Sequence, residues 1–149
     1  MDLFEGRMKN TRMGHLALLL LLVAIIYPTL KIGIYDQDPV VYYVTARKFS
    51  LQGFSPNVPL GPYQVGYPII LSFFFDLFGI SEEVAVLTSI FFSLLSVSVT
   101  FFFARDLLKD GTAAFMSALF LIFQRDFLWA GITILADASA FLCMMTAIY

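Results

Sequence analysis

Residues 84–104 read VAVLTSIFFSLLSVSVTFFFA, an uninterrupted run without a single charge. As an α-helix it is about 31 Å long, which matches a bilayer core of about 30 Å. Ser89, Ser93, Ser96 and Thr100 recur in it at helical spacing. Such a stripe of small residues lets a second helix approach closely and requires no chemistry of the serines. The run predicts a helix that crosses a membrane, packed along its serine side.

Composition agrees. Of 149 residues, 60% are hydrophobic and 13% are charged, against roughly 25% charged in soluble domains. Seventeen Phe and a mean hydropathy of +0.85 exceed what so small a globule can bury. These values predict an all-α integral membrane protein, a multi-span helical bundle. The formal net charge of −2 and the scattered Lys and Arg form no phosphate-tracking stripe, so nucleic acid is not an expected partner. The single cysteine, Cys143, excludes an internal disulfide. No internal repeat, nucleophile elbow, P-loop, dinucleotide-binding or zinc-ligand pattern is present.

Upstream, residues 1–14 are polar and carry Arg7, Lys9 and Arg12. Residues 15–34 follow as a first span with the core LALLLLLVAII, and the basic flank puts the N-terminus in the cytoplasm. No A-x-A-like cleavage site follows the core, which favours an uncleaved anchor over a signal peptide. Pro28 is expected to kink this helix near its outer end.

Residues 35–66 form an external loop. Within it, Asp36 to Gly53 reads as an interfacial amphipathic helix, capped by Asp38, with Pro39 at its first position and Gly53 at its stop. Val40, Val41, Val44 and Leu51 give it an apolar side, while Arg47 and Lys48 suit lipid headgroups. A Pro/Gly-rich stretch leads to GYPIILSFFFDLFG. Residues 67–79 of that segment are too short for a full span and read as a re-entrant or steeply interfacial helix.

Downstream, residues 80–149 hold the remaining membrane helices. The charged turn Arg105–Asp110 leads into a third span from Gly111 to about Leu128, interrupted late by Arg125-Asp126. Asp137 then opens an uncharged run to Tyr149 of about 18 Å as a helix, so the chain is expected to stop inside a membrane helix as the N-terminal piece of a longer protein. If residues 67–79 do not cross, the Arg105 turn is cytoplasmic and Asp137 shares the outer face with Asp38. If they cross, the two aspartates lie on opposite faces. The first topology is preferred.

Asp38 leads the candidates for chemistry. A carboxylate in a partly dehydrated external pocket takes a proton from an acceptor hydroxyl, although an N-cap role explains it equally. Asp36 and Asp38 form an Asp-x-Asp pair whose hard oxygens suit Mg²⁺ or Mn²⁺. Asp137 and Arg125 are rare charges in apolar sequence, and such groups are functional candidates. The alternative makes Asp137 a helix cap and Arg125-Asp126 a snorkelling pair.

In order and spacing these segments resemble the N-terminal part of GT-C type membrane glycosyltransferases, in the branch of protein O-mannosyltransferases and lipid A aminoarabinose transferases. DPVVYYVTAR places Asp38, Tyr42, Ala46 and Arg47 on the family's Asp-Glu-x-x-Tyr-x-x-x-Ala-Arg. Gly53, Gly66, Tyr67, Pro68, Phe78 and Gly79 fit the Gly and Tyr-Pro helix that follow, and ILADASAF resembles its Ser-Asp-x-x-x-x-Phe segment. Pro39 replaces the family's glutamate; Asp-Pro here is also similar to the oligosaccharyltransferase catalytic subunit, whose external loop binds a divalent metal. The resemblance implies transfer of a sugar from a polyprenyl-phosphate donor to a protein or lipid hydroxyl, on the extracytoplasmic face of the plasma membrane. It implies Asp38 as general base or acceptor-positioning carboxylate, Asp137 as a second acidic group, Arg47 as a donor-phosphate contact, and Tyr42 and Tyr67 as substrate-side residues. A non-catalytic small membrane subunit, or a fragment of a transporter bundle, is the competing reading.

Overall fold

In the computed structural model the chain is all-helical, and the structure describes residues 2–30, 37–53 and 65–149. Seven helices lie among the described residues: α1 (Asp2–Leu30), α2 (Gln37–Gln52), α3 (Gly66–Phe78), α4 (Glu82–Leu108), α5 (Gly111–Phe123), α6 (Arg125–Ile132) and α7 (Asp137–Ile148). Among the described residues α4 alone is long and apolar enough to cross a membrane, and α5 with α6 passes the same test only if counted as one bent span.

Local chemistry sets the ends of α4. Ser81 accepts a hydrogen bond from the Val84 amide at 3.2 Å, and Glu82 and Glu83 follow in the first turn, where the helix dipole favours negative charge. At the far end Arg105 occupies the last turn and Lys109 takes the left-handed conformation at φ 55°. Asp110 then accepts from the Thr112 amide at 2.9 Å and opens α5 at once. The sequence run was therefore read correctly as one helix, but the helix is longer by a turn at its C-terminal end.

The serine stripe of α4 is the seam of the fold. Ser89, Ser93 and Ser96 are fully buried. Three neighbours meet it in turn. The Tyr67 hydroxyl of α3 shares a 2.6 Å hydrogen bond with Ser89 Oγ. Gly131 of α6 lies so close that an added Cβ would enter the Tyr27 ring and stand 2.8 Å from Ser93 Oγ. Ser96 donates to the Ala138 carbonyl of α7 at 3.0 Å.

These contacts give each helix a direction. The Tyr149 hydroxyl donates to Asp106 Oδ2 at 2.6 Å and its ring packs on Phe103, so α7 runs parallel to α4 from the level of Ser96 to its C-terminal end. The His15 ring meets Phe115 and the Tyr27 hydroxyl donates to the Ile122 carbonyl at 3.2 Å, so α1 runs parallel to α5. The N-terminal side of α1 thus shares an end of the bundle with the Arg105–Asp110 turn. Helix α3 crosses α4 obliquely: Tyr67 and Phe74 are about two turns apart on α3, yet reach Ser89 and Phe91, within one turn of α4.

Gly111 to about Leu128, expected as one span interrupted late, breaks at Gln124, which turns extended at ψ 127°, and the chain bends there by 64°. Gln124 Oε1 accepts from the Phe127 amide at 2.6 Å and restarts the helix as α6. The Tyr27 bond to Ile122 satisfies one of the carbonyls that such a break orphans. Residues 2–13 of the polar N-terminal segment belong to α1 as helix. Residues 31–36, the end of the expected first span, lie outside the described residues, and Pro28 sits within α1.

Gly131→Ala should therefore cost about 1–3 kcal/mol through overpacking against the Tyr27 ring. Thermal unfolding in detergent measures it, and the loss should shrink when Tyr27→Ala opens the same space, because the two sites share one contact.

Candidate functional site

The candidate residues gather on α2, α3 and the start of α7. Helix α2 begins at Gln37, one residue before the aspartate expected to cap it, so Asp38 sits inside the first turn. Pro39 is accommodated there because the first amides of a helix have no partner to lose. Gly53 ends the helix at φ 71°, its amide bonded to the Phe49 carbonyl at 2.9 Å, as its sequence position implied.

The side of α2 that packs on the protein is not the apolar side expected of an interfacial helix. Val40, Val44 and Leu51 are exposed at 43%, 41% and 64%, whereas Pro39, Tyr42, Ala46 and Phe49 are buried. Apolar residues stand on more than one side of the helix, and the aromatic side chains take the inner position because each removes more surface from water than a valine does. The Tyr42 ring stands edge-on to Tyr67 with centroids 5.6 Å apart, and Tyr43 meets Phe75 at 5.4 Å. Ser50 donates to Asp76 Oδ1 at 2.6 Å, tying the last turn of α2 to α3. Helix α3 ends at Gly79, whose φ of 91° only glycine adopts freely.

The result is a relay from surface to seam: Tyr42, Tyr67, then Ser89 of α4. Asp38 lies one turn before Tyr42 and is exposed, and Arg47 is exposed as well. Neither forms a hydrogen bond or ion pair among the described residues. Asp137 opens α7, again exposed and unpaired among the described residues. Its neighbour Ala136 occupies the cap position without a side-chain hydrogen bond, so Asp137 sits in the first turn, where its charge complements the helix dipole.

Tyr42 and Tyr67 are brought together, and Asp38 is near them along α2. Asp137 belongs to a different level of the fold. Ala138 docks at Ser96 and Tyr67 at Ser89, about 10 Å apart along α4. Asp36 lies outside the described residues, as do residues 54–64 of the Pro/Gly-rich loop. Among the described residues no three His, Cys, Asp or Glu side chains are grouped to hold a metal.

Ser89, Ser50, Asp76 and Gln124 are structural participants that sequence reasoning did not single out for these roles. The serine stripe signalled close packing but not the tyrosine that enters it. The Arg125-Asp126 step signalled a late interruption but not that Gln124 makes the break. Arg125 and Asp126 do not pair with each other; Asp126 accepts from the Gln124 amide at 3.3 Å.

An apolar groove of about 380 Å³ lies between α3 and the first half of α4, lined by Phe74, Phe78, Val84, Leu87, Thr88 and Phe91. It contains none of the candidate residues. What the fold and these sites define is an all-helical protein built on one membrane-length helix, with a tyrosine-anchored helix pair at one end. No protein-family model, curated protein or solved structure matches the chain.

Tyr67→Phe is expected to lower stability by about 1 kcal/mol or somewhat more, because it leaves the buried Ser89 hydroxyl without its partner. Tyr67→Phe combined with Ser89→Ala should cost less than the sum of the two single changes. Arg47→Ala, at an exposed and unpaired position, should stay within about 0.5 kcal/mol. Detergent-phase thermal melts of the four variants check all three statements.

Proposed function

We propose that this chain is a multi-span membrane glycosyltransferase, or its N-terminal part. In this reading it transfers a sugar from a polyprenyl-phosphate donor to a protein or lipid hydroxyl on the extracytoplasmic face. The observation that carries the reading is Asp38: an exposed carboxylate with no partner among the described residues, on a helix whose other side is locked through Tyr42 and Tyr67 onto the membrane-length helix. A carboxylate kept free on a rigid support is available as a base; one spent on a cap or an ion pair is not.

The charge distribution supports the orientation. Arg7, Lys9 and Arg12 precede the apolar part of α1, and Arg105 and Lys109 close α4 at the same end of the bundle. Placing that end in the cytoplasm follows the positive-inside rule and leaves α2 and α3 outside. In the proposed step the acceptor hydroxyl attacks the anomeric carbon. The bond from that carbon to the phosphate oxygen breaks, polyprenyl phosphate leaves with the bonding electrons, and Asp38 takes the acceptor proton. Arg47, about two and a half turns along α2 from Asp38, offers a fork suited to a phosphate. Asp137 serves as a second acidic group, and a divalent Mg²⁺ or Mn²⁺ would call on Asp36 with Asp38.

A second reading has its own support. The 64° break at Gln124 inside apolar sequence is the kind of feature found in transporter bundles, and a non-catalytic membrane subunit would carry it equally well.

Asp38→Asn in a complete, active enzyme should reduce sugar transfer by about a hundredfold or more. Expression and thermal stability should be unchanged, since the carboxylate has no partner among the described residues. Transfer of radiolabelled sugar from a polyprenyl-phosphate donor in membranes measures it, and turnover within a few-fold of the parent would overturn the assignment.

A further inference from the structure

We infer that α5, α6 and α7 form a re-entrant segment, and that its turn, carrying Arg125, Asp126 and Asp137, is the floor of a water-filled vestibule sunk to mid-bilayer depth and open on the side of α2 and α3. The inference rests on the membrane reading above, but not on the glycosyltransferase assignment.

The first step is direction. Helix α5 leaves the Arg105–Asp110 turn antiparallel to α4, and α7 returns parallel to α4 until Tyr149 reaches Asp106. Both ends of the segment are therefore at one end of α4. The second step is length. Helix α5 has 13 residues, about 20 Å, well short of a core of about 30 Å, and α7 starts at the level of Ser96 rather than at the far end of α4.

The third step is depth. The uncharged run of α4 starts at Val84, and the turn of the segment meets α4 at Ser93 and Ser96. Ser96 lies about 18 Å from Val84 and about 12 Å from Ala104 along the helix. If the uncharged run spans the core, the turn lies near its middle.

Three charges stand at that depth. Arg125, Asp126 and Asp137 are all exposed and form no ion pair among the described residues. Charges at mid-bilayer do not face hydrocarbon; they face other protein or a water-filled cavity. Toward the Arg105 end Val97, Phe101 and Ala104 of α4 and Ala114 and Ala118 of α5 are buried, which favours entry of water from the opposite end. That is the end where α2 and α3 lie. There neither α5 nor α7 extends to close the space beside α4.

The experiment is cysteine accessibility in the full-length protein in cells. Cys143→Ser removes the only native thiol, and single cysteines replace Asp126, Asp137, Leu87 and Lys109 in that background. A membrane-impermeant maleimide reacts with thiolates in contact with water. Labelling of the Lys109→Cys protein only after the cells are opened establishes the membrane reading and its orientation by itself. With that in place, Asp126→Cys and Asp137→Cys are expected to label in intact cells at least about tenfold faster than Leu87→Cys, which lies in the apolar groove. Labelling of both only after opening the cells would overturn the vestibule. So would failure to label until the protein is denatured. Monodisperse size-exclusion profiles identify the folded variants, and Arg125→Cys replaces either aspartate variant that fails this check.

Discussion

The fold depends on the serine seam of α4. A helix of this length and apolarity gains nothing from burial where its surroundings are equally apolar, so association must come from close approach and hydrogen bonding. Ser89, Ser93 and Ser96 supply both. Each is small enough to admit a neighbouring backbone or ring, and each carries a hydroxyl that must be satisfied. Tyr67 meets the first, and Gly131 backed by Tyr27 fills the space at the second. The Ala138 carbonyl takes the third. Three separate segments are thereby set at three levels of one helix, and the remaining packing follows from where they are pinned.

That arrangement explains why some of the fold was legible in the sequence. Signals written in consecutive residues came through. The uncharged run became α4, and Gly53 and Gly79 ended their helices with positive φ. The serine spacing announced a packed face correctly. What did not come through was choice between near-equivalent faces. On α2 the valines marked the apolar side of an interfacial helix, and no local pattern said that Tyr42 and Phe49 would pack inward. The break after α5 was displaced from the obvious Arg125-Asp126 to Gln124. A glutamine caps a helix only when its backbone is already extended, and at this break a carbonyl, that of Ile122, is met by Tyr27, 95 residues earlier in the chain.

The candidate site divides along the same line. Asp38, Tyr42 and Tyr67 are linked by local helix geometry and one ring contact, and their proximity could be anticipated from a short stretch. The relation of Asp137 to them is set by α4, through the spacing of Ser89 and Ser96. No local pattern encodes it. The two aspartates are separated in level by about 10 Å of helix, so they do not form a single carboxylate pair among the described residues. Any shared chemistry would join them through a substrate long enough to bridge that distance.

The unpaired charges are the last consequence of the seam. By fastening α7 at Ser96 and α6 at Ser93, α4 stops the chain halfway along its length and turns it back. A turn needs polar residues to satisfy broken helix ends, and Gln124, Asp126 and Asp137 are what the sequence places there. Had the same residues stood at a helix end in open water, they would be ordinary caps costing nothing. At this level of α4 they are groups that hydrocarbon cannot accept. On the membrane reading proposed above, the same serines that let the helices pack therefore place polar groups beside α4 where they call for water or further protein.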